Sequence, residues 1–197
     1  MRKFYIAVAI FSCLVISSLS GKAQSDIYET YAILSINGGA NAYYDLFANT
    51  GNPDFNGSNL GSFVIGNNTL VLNGAQQKTY KCGSDDITNG QIWYRVYQQT
   101  STPGAFTGGT YLAYSFDNGF AGCGGPNQQW ETNNAGINVL SGLTVGNYYL
   151  EVYTTAHFTY STGSGEHTAN NGGSNYKISF SVIPSTNTWI GYNSSWS

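Results

Sequence analysis

Acidic side chains beside aromatic rings are the residues of this sequence best suited to chemistry. Pairs of carboxyl groups catalyse glycoside hydrolysis, so such neighbours could mark a sugar-cleaving site. Ten acidic residues spread over a sheet also produce such neighbours by chance. A glycosidase is therefore the less favoured hypothesis, and we expect no enzyme. The three cases are Glu151 between Tyr149 and Tyr153 on the solvent-facing side of a predicted strand, Glu131 after Trp130, and Asp45 after Tyr44.

Imidazole side chains are the next candidates, because metal sites and catalytic triads need His, Cys or acidic groups that converge. The chain has two histidines, His157 and His167, and Glu166 precedes the second. No recognised spacing links these residues, and we expect exposed loop residues around 161–173 instead.

Calcium is the remaining metal to consider. Asp85, Asp86 and Asp117 could supply the oxygen ligands that Ca²⁺ prefers. They match no calcium-loop spacing, and Asp in turns needs no metal to explain it. We therefore expect no cofactor, with calcium as the alternative.

Aromatic residues form the other chemical signal, with 16 Tyr, 10 Phe and 4 Trp in the chain. Most are expected in the core or in cross-strand pairs, which stabilise sheets. An excess on solvent-facing strands would form a platform for a polysaccharide, another surface protein or a second copy of the chain. The candidate ligand-binding residues are Trp93, Tyr97, Trp130, Tyr149 and Tyr153.

Strands must position these side chains, because apolar residues alternate with polar ones and no convincing 3.6-residue period occurs after the first residues. In residues 91–97 the alternation predicts Ile92, Tyr94 and Val96 on one face. Trp93, Arg95 and Tyr97 are then on the other face. The predicted strands are 91–97, 148–153 and 176–182, and, with weaker patterns, 28–36, 42–48, 60–65, 69–72, 111–116 and 137–140.

Turn sequences rich in Asn and Gly separate these strands, since both residues tolerate positive φ. Eight to ten short strands predict one all-β domain at residues 24–184, an antiparallel β-sandwich of jelly-roll or immunoglobulin-like type. Residues 143–152 are typical of the entry to a late sandwich strand, in which a Tyr bonds back to the backbone. The predicted turns are 37–39, 52–54, 73–74, 89–90, 117–119 and 171–173.

Composition excludes several classes of protein. Only 9% of the 197 residues are charged, and seven Lys and Arg make a nucleic-acid partner improbable. The hydrophobic content of 41% and aromatic content of 15% exclude a disordered chain. Low charge with many Tyr, Asn, Gly and Ser residues is typical of an extracellular all-β protein.

Residues 1–23 have the pattern of a secretory signal peptide: a basic start, an apolar stretch at 4–19, and small residues Gly21 and Ala23 before the cleavage site. About 16 apolar residues are short for a bilayer span, so we expect no membrane insertion after cleavage. Cleavage removes three of the seven basic residues and none of the ten acidic ones, which leaves a charge near −6. The predicted location is secreted or cell-surface, or periplasmic without further export.

Two cysteines, Cys82 and Cys123, remain after that cleavage, each beside glycine. In an oxidising compartment they most simply form one disulfide. Closing a loop of about 42 residues would stabilise the fold by roughly 4 kcal/mol in the chain-entropy model. A metal pair or a catalytic thiol would need a local Cys/His spacing that the sequence lacks.

Six spaced segments also carry a family resemblance: residues 31–46, 52–57, 60–63, 80–88, 94–97 and 123–130. They resemble an uncharacterised β-rich module of secreted flavobacterial (Bacteroidetes) surface proteins. Residues 188–197 are similar to a Trp-rich segment that follows such modules, and we expect residues 185–197 to be a tail or the start of a following segment. The resemblance implies a secreted β-rich domain, often associated with type IX secretion sorting domains, and no activity.

These patterns predict a secreted, non-enzymatic β-sandwich module for adhesion or carbohydrate binding. The alternative is a purely structural or protein-interaction module, such as a spacer or fibre subunit.

Overall fold

The computed structural model describes residues 25–120 and 126–185, without the side chains of Asn118 and Phe120. These residues form eleven β-strands and one turn of 3-10 helix at Asn171–Gly173, so the all-β prediction is confirmed. The strands are β1 (Ser25–Ile36), β2 (Ala42–Asp45), β3 (Asn59–Val64), β4 (Leu70–Lys81), β5 (Asp86–Gln98), β6 (Thr107–Phe120), β7 (Pro126–Thr132), β8 (Ile137–Asn138), β9 (Gly146–Tyr160), β10 (Gly163–Ala169) and β11 (Tyr176–Ile183).

The strands form one curled sheet in the order β2-β1-β4-β7-β6-β5-β9-β11-β3, with β8 paired to β4 and β10 to β9. β6 joins two arms, because its first half pairs with β5 and its second half with β7. We call β1, β2, β4, β7 and β8 the first arm and β3, β5, β9, β10 and β11 the second arm. The predicted two-sheet sandwich is not confirmed, since hydrogen bonding continues from one arm to the other.

The hydrophobic core takes side chains from both arms. Leu34 and Leu72 of the first arm and Ile92, Leu150 and Ile178 of the second are fully buried in one cluster. Alternate residues of the two predicted strands belong to this core or pack against it, as the sequence predicts: Ile92, Tyr94 and Val96 of β5 and Tyr148, Leu150 and Val152 of β9. A buried hydrogen bond of 3.1 Å between the Oγ1 atoms of Thr30 and Thr154 also joins the arms.

Three predicted turns lie instead inside strands. Residues 73–74 are in β4, 89–90 in β5 and 117–119 in β6. Gly74 has a φ of +125° beside a register shift, and a Cβ there would lie 2.1 Å from the Thr132 carbonyl oxygen. A Cβ on Gly90 would likewise lie 2.5 Å from Oε1 of Gln77. These glycines allow irregular or close-packed strands and do not reverse the chain.

Other local predictions are confirmed. Asn37 and Gly38 adopt positive φ values of 52° and 69° in the turn after β1. The Tyr148 hydroxyl donates a hydrogen bond of 2.9 Å to the Thr144 carbonyl oxygen, which is the predicted link from Tyr to the backbone. These features are local in sequence, so the residues that form them are adjacent to each other.

The two outermost strands, β2 and β3, have backbone groups that are bonded within the chain. This limits the pairing of another strand with either edge. The bonds are from Gly61 N–H to Asn59 Oδ1 (2.7 Å) and Val64 N–H to Asn68 Oδ1 (2.7 Å) on β3, and from Asp45 N–H to the Pro53 carbonyl (2.8 Å) and Phe55 N–H to the Asp45 carbonyl (2.8 Å) at β2.

Several predictions concern residues outside the described ranges. These are the signal peptide at 1–23, Cys123 of the predicted disulfide, and the tail segment 188–197. Within residues 25–120 and 126–185, no helix has the length and apolar character needed to cross a membrane.

Candidate functional site

The solvent-facing side of β5 and β9 gathers four of the five predicted ligand-binding residues. Antiparallel pairing sets Trp93 opposite Tyr153 and Tyr97 opposite Tyr149. Residues directly opposite share one side of a sheet, and Ile92 and Leu150 alternate with them into the core. We call this surface of Trp93, Tyr97, Tyr149 and Tyr153 the aromatic face. All four side chains are half-buried.

Ring contacts order the aromatic face. Trp93 and Tyr153 lie parallel, with centroids 5.9 Å apart, and the Trp93 indole N–H lies 3.4 Å from Thr155 Oγ1. Phe106, from the connection between β5 and β6, packs edge-on against Tyr153 at 4.8 Å. Tyr97 and Tyr149 pack at a tilt, 5.9 Å apart. Such pairs stabilise the sheet and fix the ring orientations.

We call two residues directly opposite each other on paired strands a rung of the sheet. An ion pair forms the rung between that of Trp93 and Tyr153 and that of Tyr97 and Tyr149. Glu151 lies opposite Arg95, and its carboxylate accepts two hydrogen bonds from the guanidinium, at 2.7 and 3.1 Å. Tyr97 and Asn175 each donate a further bond of 2.7 Å. Glu151 is only 1% exposed, so the prediction of a solvent-facing carboxylate at this position is wrong. The physical reason is that four donor groups surround its two oxygens.

Arg95 also positions the connection between β5 and β6. Its Nη1 donates a hydrogen bond of 2.9 Å to the Gly104 carbonyl oxygen. Its guanidinium carbon lies 4.2 Å from the centre of the Phe106 ring and 5.5 Å from that of Tyr97. The cation therefore holds the loop at 99–106 over the sheet by one hydrogen bond and a cation–π contact.

The electrostatics of this rung favour a charged Glu151. Burial raises the pKa of its carboxyl, but hydrogen bonds from Arg95, Asn175 and Tyr97 outweigh burial and hold the pKa below its ordinary value. Burial, followed by the hydrogen bond to Glu151, raises the pKa of Tyr97 to about 12. Burial likewise raises the pKa of Tyr153, with Glu166 adding to the effect. Both tyrosines keep neutral hydroxyl groups near pH 7.

Gly109 on β6 makes room for Trp93. A Cβ at this position would lie 2.9 Å from Cε2 and 3.1 Å from Cζ2 of the indole ring. By contrast, a Cβ on the adjacent Gly108 would meet nothing within 4 Å. The position of the Trp93 ring therefore depends on the missing side chain at residue 109.

Trp130, the fifth predicted ligand-binding residue, lies elsewhere. It is 7% exposed, belongs to the hydrophobic core and packs edge-on against Tyr114 at 5.4 Å. Its neighbour Glu131 accepts hydrogen bonds from Tyr43 and Gln76 of the first arm and from Asn133, which follows β7. The structure therefore does not bring either residue to the aromatic face.

Asp45 is fully buried at the end of β2. Its Oδ1 accepts hydrogen bonds from the backbone N–H groups of Phe47 and Ala48, and its Oδ2 from those of Asn49 and Thr50, at 2.8–3.0 Å. Burial raises its pKa, but the bonds from Thr50 and the loop backbone outweigh burial and lower it. Asp45 therefore holds the loop that follows β2.

The histidines lie on strands, which corrects the predicted exposed loop at 161–173. Residues 163–169 of that segment form β10, which is largely exposed as predicted, and its polar side chains give no sign in the sequence of its pairing with β9. His157 Nε2 lies 2.7 Å from the Glu166 carboxylate across this pair. His167 stacks on Phe158 at 4.2 Å and contacts Ser25 Oγ at 3.0 Å. Burial lowers the pKa of His167, against the raising effect of nearby acidic groups.

The calcium candidates are engaged by protein groups. Among the described residues, no cluster of three or more His, Cys, Asp or Glu side chains could hold a metal ion. The partners are Lys81 for Asp86 (2.5 Å), the Ser25 hydroxyl for Asp85 (3.2 Å) and the Tyr114 hydroxyl for Asp117 (3.0 Å).

Cys82 follows β4 and is 7% exposed. Its predicted partner, Cys123, lies outside the described residues. The Cys82–Cys123 disulfide therefore stays a prediction.

Two aromatic residues near the face were absent from the sequence-based candidates. Phe106 precedes β6, and no periodic pattern marks it. Tyr111 is 67% exposed on β6, opposite Gln91 of β5. The strand at 111–116 was predicted, but its pairing partner was not, so sequence alone could not place Tyr111 beside Trp93.

Comparisons with known proteins give little further information. No protein-family model and no curated protein matches the sequence. Among solved structures, the chain is similar to AggA, the major subunit of aggregative adherence fimbriae type I from Escherichia coli. The TM-score is 0.26 and the identity 11%, over 79% of this chain and 97% of that one. A likeness at this level carries no conclusion about fold or function.

Proposed function

We propose that this protein is a secreted, non-enzymatic module that binds carbohydrate through the aromatic face and thereby serves adhesion at or outside the cell surface. The observation that carries the proposal is the convergence of Trp93, Tyr153, Tyr97 and Tyr149 on one side of the second arm. Aromatic rings with polar edges suit the faces and hydroxyl groups of sugars, and they lose little conformational entropy on binding. Export through the predicted signal peptide would place this face outside the cytoplasm.

A hydrolytic role for Glu151 fits this environment less well. A general acid in a glycosidase needs a raised pKa and access to the scissile oxygen. Glu151 instead has a lowered pKa, is 1% exposed, and uses both oxygens to accept hydrogen bonds from Arg95, Tyr97 and Asn175. Its environment suits a structural carboxylate.

A pull-down on insoluble cellulose, chitin and xylan tests the proposal. We expect at least one of these to retain the mature protein, and Trp93→Ala and Tyr153→Ala to lose most of that retention. Tyr160→Ala is the matched control, because Tyr160 is 36% exposed on the same strand as Tyr153 but lies beside Phe158, away from the face. Circular dichroism verifies that each variant is folded. Absence of retention on all three glycans contradicts the proposal.

Gly109→Ala sharpens this test without removing a ring. The added Cβ displaces the Trp93 indole, so we expect retention several-fold weaker than that of the unmodified protein. Gly108→Ala, with open space around the new Cβ, is expected to bind normally. Equal retention of the two variants would show that the position of Trp93 does not matter for binding.

Self-association is the second candidate function, that of a fibre or assembly subunit. Tyr114 and Phe116, each 50% exposed on β6, favour it, because exposed aromatic residues mark protein contacts. The bonded edges at β2 and β3 oppose a fibre built by strand addition. Light scattering over a range of concentrations separates these possibilities. Oligomers that dissociate in Phe116→Ser support assembly, and a monomer at every concentration excludes it.

A further inference from the structure

We infer that the aromatic face binds an extended, uncharged glycan chain, and that Phe106 and Tyr111 contact this chain together with Trp93. The inference rests on the proposed carbohydrate-binding function and names the class of ligand. It depends on three features: the rings lie on neighbouring rungs on one side of the sheet, these rungs together are longer than one sugar, and the Arg95 and Glu151 charges between them are paired with each other.

Phe106 supplies an aromatic ring at the rung whose own two residues are not aromatic. On that rung Arg95 pairs with Glu151, between the rungs of Trp93 and Tyr97. The Phe106 ring lies 4.2 Å from the guanidinium carbon and packs edge-on against Tyr153. A ligand crossing the ion pair therefore meets an apolar ring at this point.

Tyr111 extends the row beyond Trp93. It lies opposite Gln91, and a Cβ on Gly109, two residues before it, would lie 2.9 Å from the Trp93 ring. Tyr111 is thus on the same side of the sheet as Trp93, one rung further along. Its side chain is 67% exposed, whereas Gln91 beside it is 7% exposed. The Tyr111 ring is therefore exposed to solvent beside the buried Gln91 side chain, where a ligand can reach it.

The resulting row runs from the rung of Tyr97 to that of Gln91. The six steps from residue 91 to residue 97 cover about 20 Å at ~3.3 Å per step, which is longer than a single sugar ring. A chain lying along the strands can contact Tyr97, Phe106, Trp93 and Tyr111 in turn. We therefore expect affinity to increase with glycan length.

Charge favours a neutral ligand. The Arg95 guanidinium is occupied by Glu151 and covered by Phe106, so it is not offered to a carboxylate or sulfate. The whole chain carries a formal charge of −3, which repels anionic polysaccharides. An uncharged glycan avoids this repulsion and uses the rings and hydroxyl groups of the face.

Isothermal titration calorimetry with oligosaccharides from the monosaccharide to the hexasaccharide tests the inference. The series is cello-, chito- or xylo-oligosaccharide, according to which polysaccharide retains the protein, with heparin and polygalacturonate as anionic comparators. We expect the hexasaccharide to bind more tightly than the disaccharide. Tyr111→Ala and Phe106→Ala should each weaken hexasaccharide binding by roughly tenfold and disaccharide binding much less.

Tyr114→Ala is the matched control, because Tyr114 is an exposed tyrosine of the same strand that packs against Trp130 instead of Trp93. This variant is expected to bind the hexasaccharide normally. Equal affinity for disaccharide and hexasaccharide, an unchanged hexasaccharide affinity in Tyr111→Ala, or preference for an anionic polymer would each overturn the inference. If the protein still bound a polysaccharide through Trp93, the proposed function would stand. Absence of glycan binding by the unmodified protein would overturn both the inference and the proposed function.

Discussion

Glu151 and Asp45 are both buried carboxylates, yet their charges are compensated in different ways. Asp45 accepts four backbone N–H groups from residues two to five positions later in the chain. Glu151 accepts its bonds from Arg95, Tyr97 and Asn175, which are 24 to 56 positions away. One carboxylate therefore organises a loop, and the other joins β5, β9 and the segment before β11. Only the second is part of the candidate site.

This difference shows why the aromatic face depends on tertiary structure. The ion pair at Glu151 holds the rungs of Trp93 and Tyr97 together and, through Arg95, the loop that carries Phe106. The loop at Asp45 is formed by local bonds, and its aromatic residue, Phe47, packs against Tyr176. Variants at the two carboxylates should thus have separable effects on stability and binding.

The largest effect is expected for Arg95→Ala. The substitution leaves the Glu151 carboxylate, at 1% exposure, without its cation and with only the hydrogen bonds from Tyr97 and Asn175, so the free energy of unfolding should fall by about 3–5 kcal/mol. Chemical denaturation measures the change, and glycan retention should fall with it because Phe106 loses its support. Lys78→Ala is the control, since Lys78 pairs with Glu29 where both side chains are about a fifth exposed, and should lose at most about 1 kcal/mol. Equal losses in the two variants would contradict the importance of burial.

Asp45→Ala should have the next largest effect. Four loop N–H groups lose their acceptor, so the free energy of unfolding should fall by about 2–3 kcal/mol. The loss is not larger because part of the loop can bond to water instead. Glycan retention should be preserved in the folded variant. Asp54→Ala, at an exposed position nearby, should change stability little. Loss of binding without unfolding in Asp45→Ala would show that the two regions are coupled.

The smallest effect concerns acid stability. Both carboxyl groups have folded-state pKa values below their ordinary values, so their contribution is present above about pH 4.3 and is lost as pH falls through the folded pKa. Denaturation measured from pH 7 to pH 3 should therefore show decreasing stability. Glu151→Gln and Asp45→Asn should each have a shallower slope in this range. A steeper slope in either variant would mean that its carboxyl pKa is raised by folding.

Sequence analysis located the aromatic face because its information is periodic. Alternation in β5 and β9 separates Trp93 and Tyr153 from Ile92 and Leu150, and both strands were predicted with the correct orientation of these residues. The pairing of Trp93 with Tyr153 was not predictable, since register depends on contacts between distant residues.

The errors have a common physical origin. Gly74 and Gly90 were assigned to turns because glycine permits turns, but here it permits a bulge and a close contact inside β4 and β5. β10 was missed because its residues are polar and its partner strand supplies the apolar side. Glu151 was predicted to be exposed because alternation indicates the side of the sheet on which a side chain lies. Its burial depends in addition on Arg95 and on the loop that covers this side.

The position of β6 has a consequence for how the protein responds to ligand. One half of this strand is hydrogen-bonded to the first arm and the other half to the second. Unfolding of either arm therefore breaks the hydrogen bonds of one half of β6. The hydrophobic core contains side chains from both arms, so unfolding of either arm also exposes core residues of the other. If the proposed function holds, a glycan bound to the second arm should therefore protect the first arm from heat as well, and the two arms should unfold together at a temperature that rises with glycan concentration.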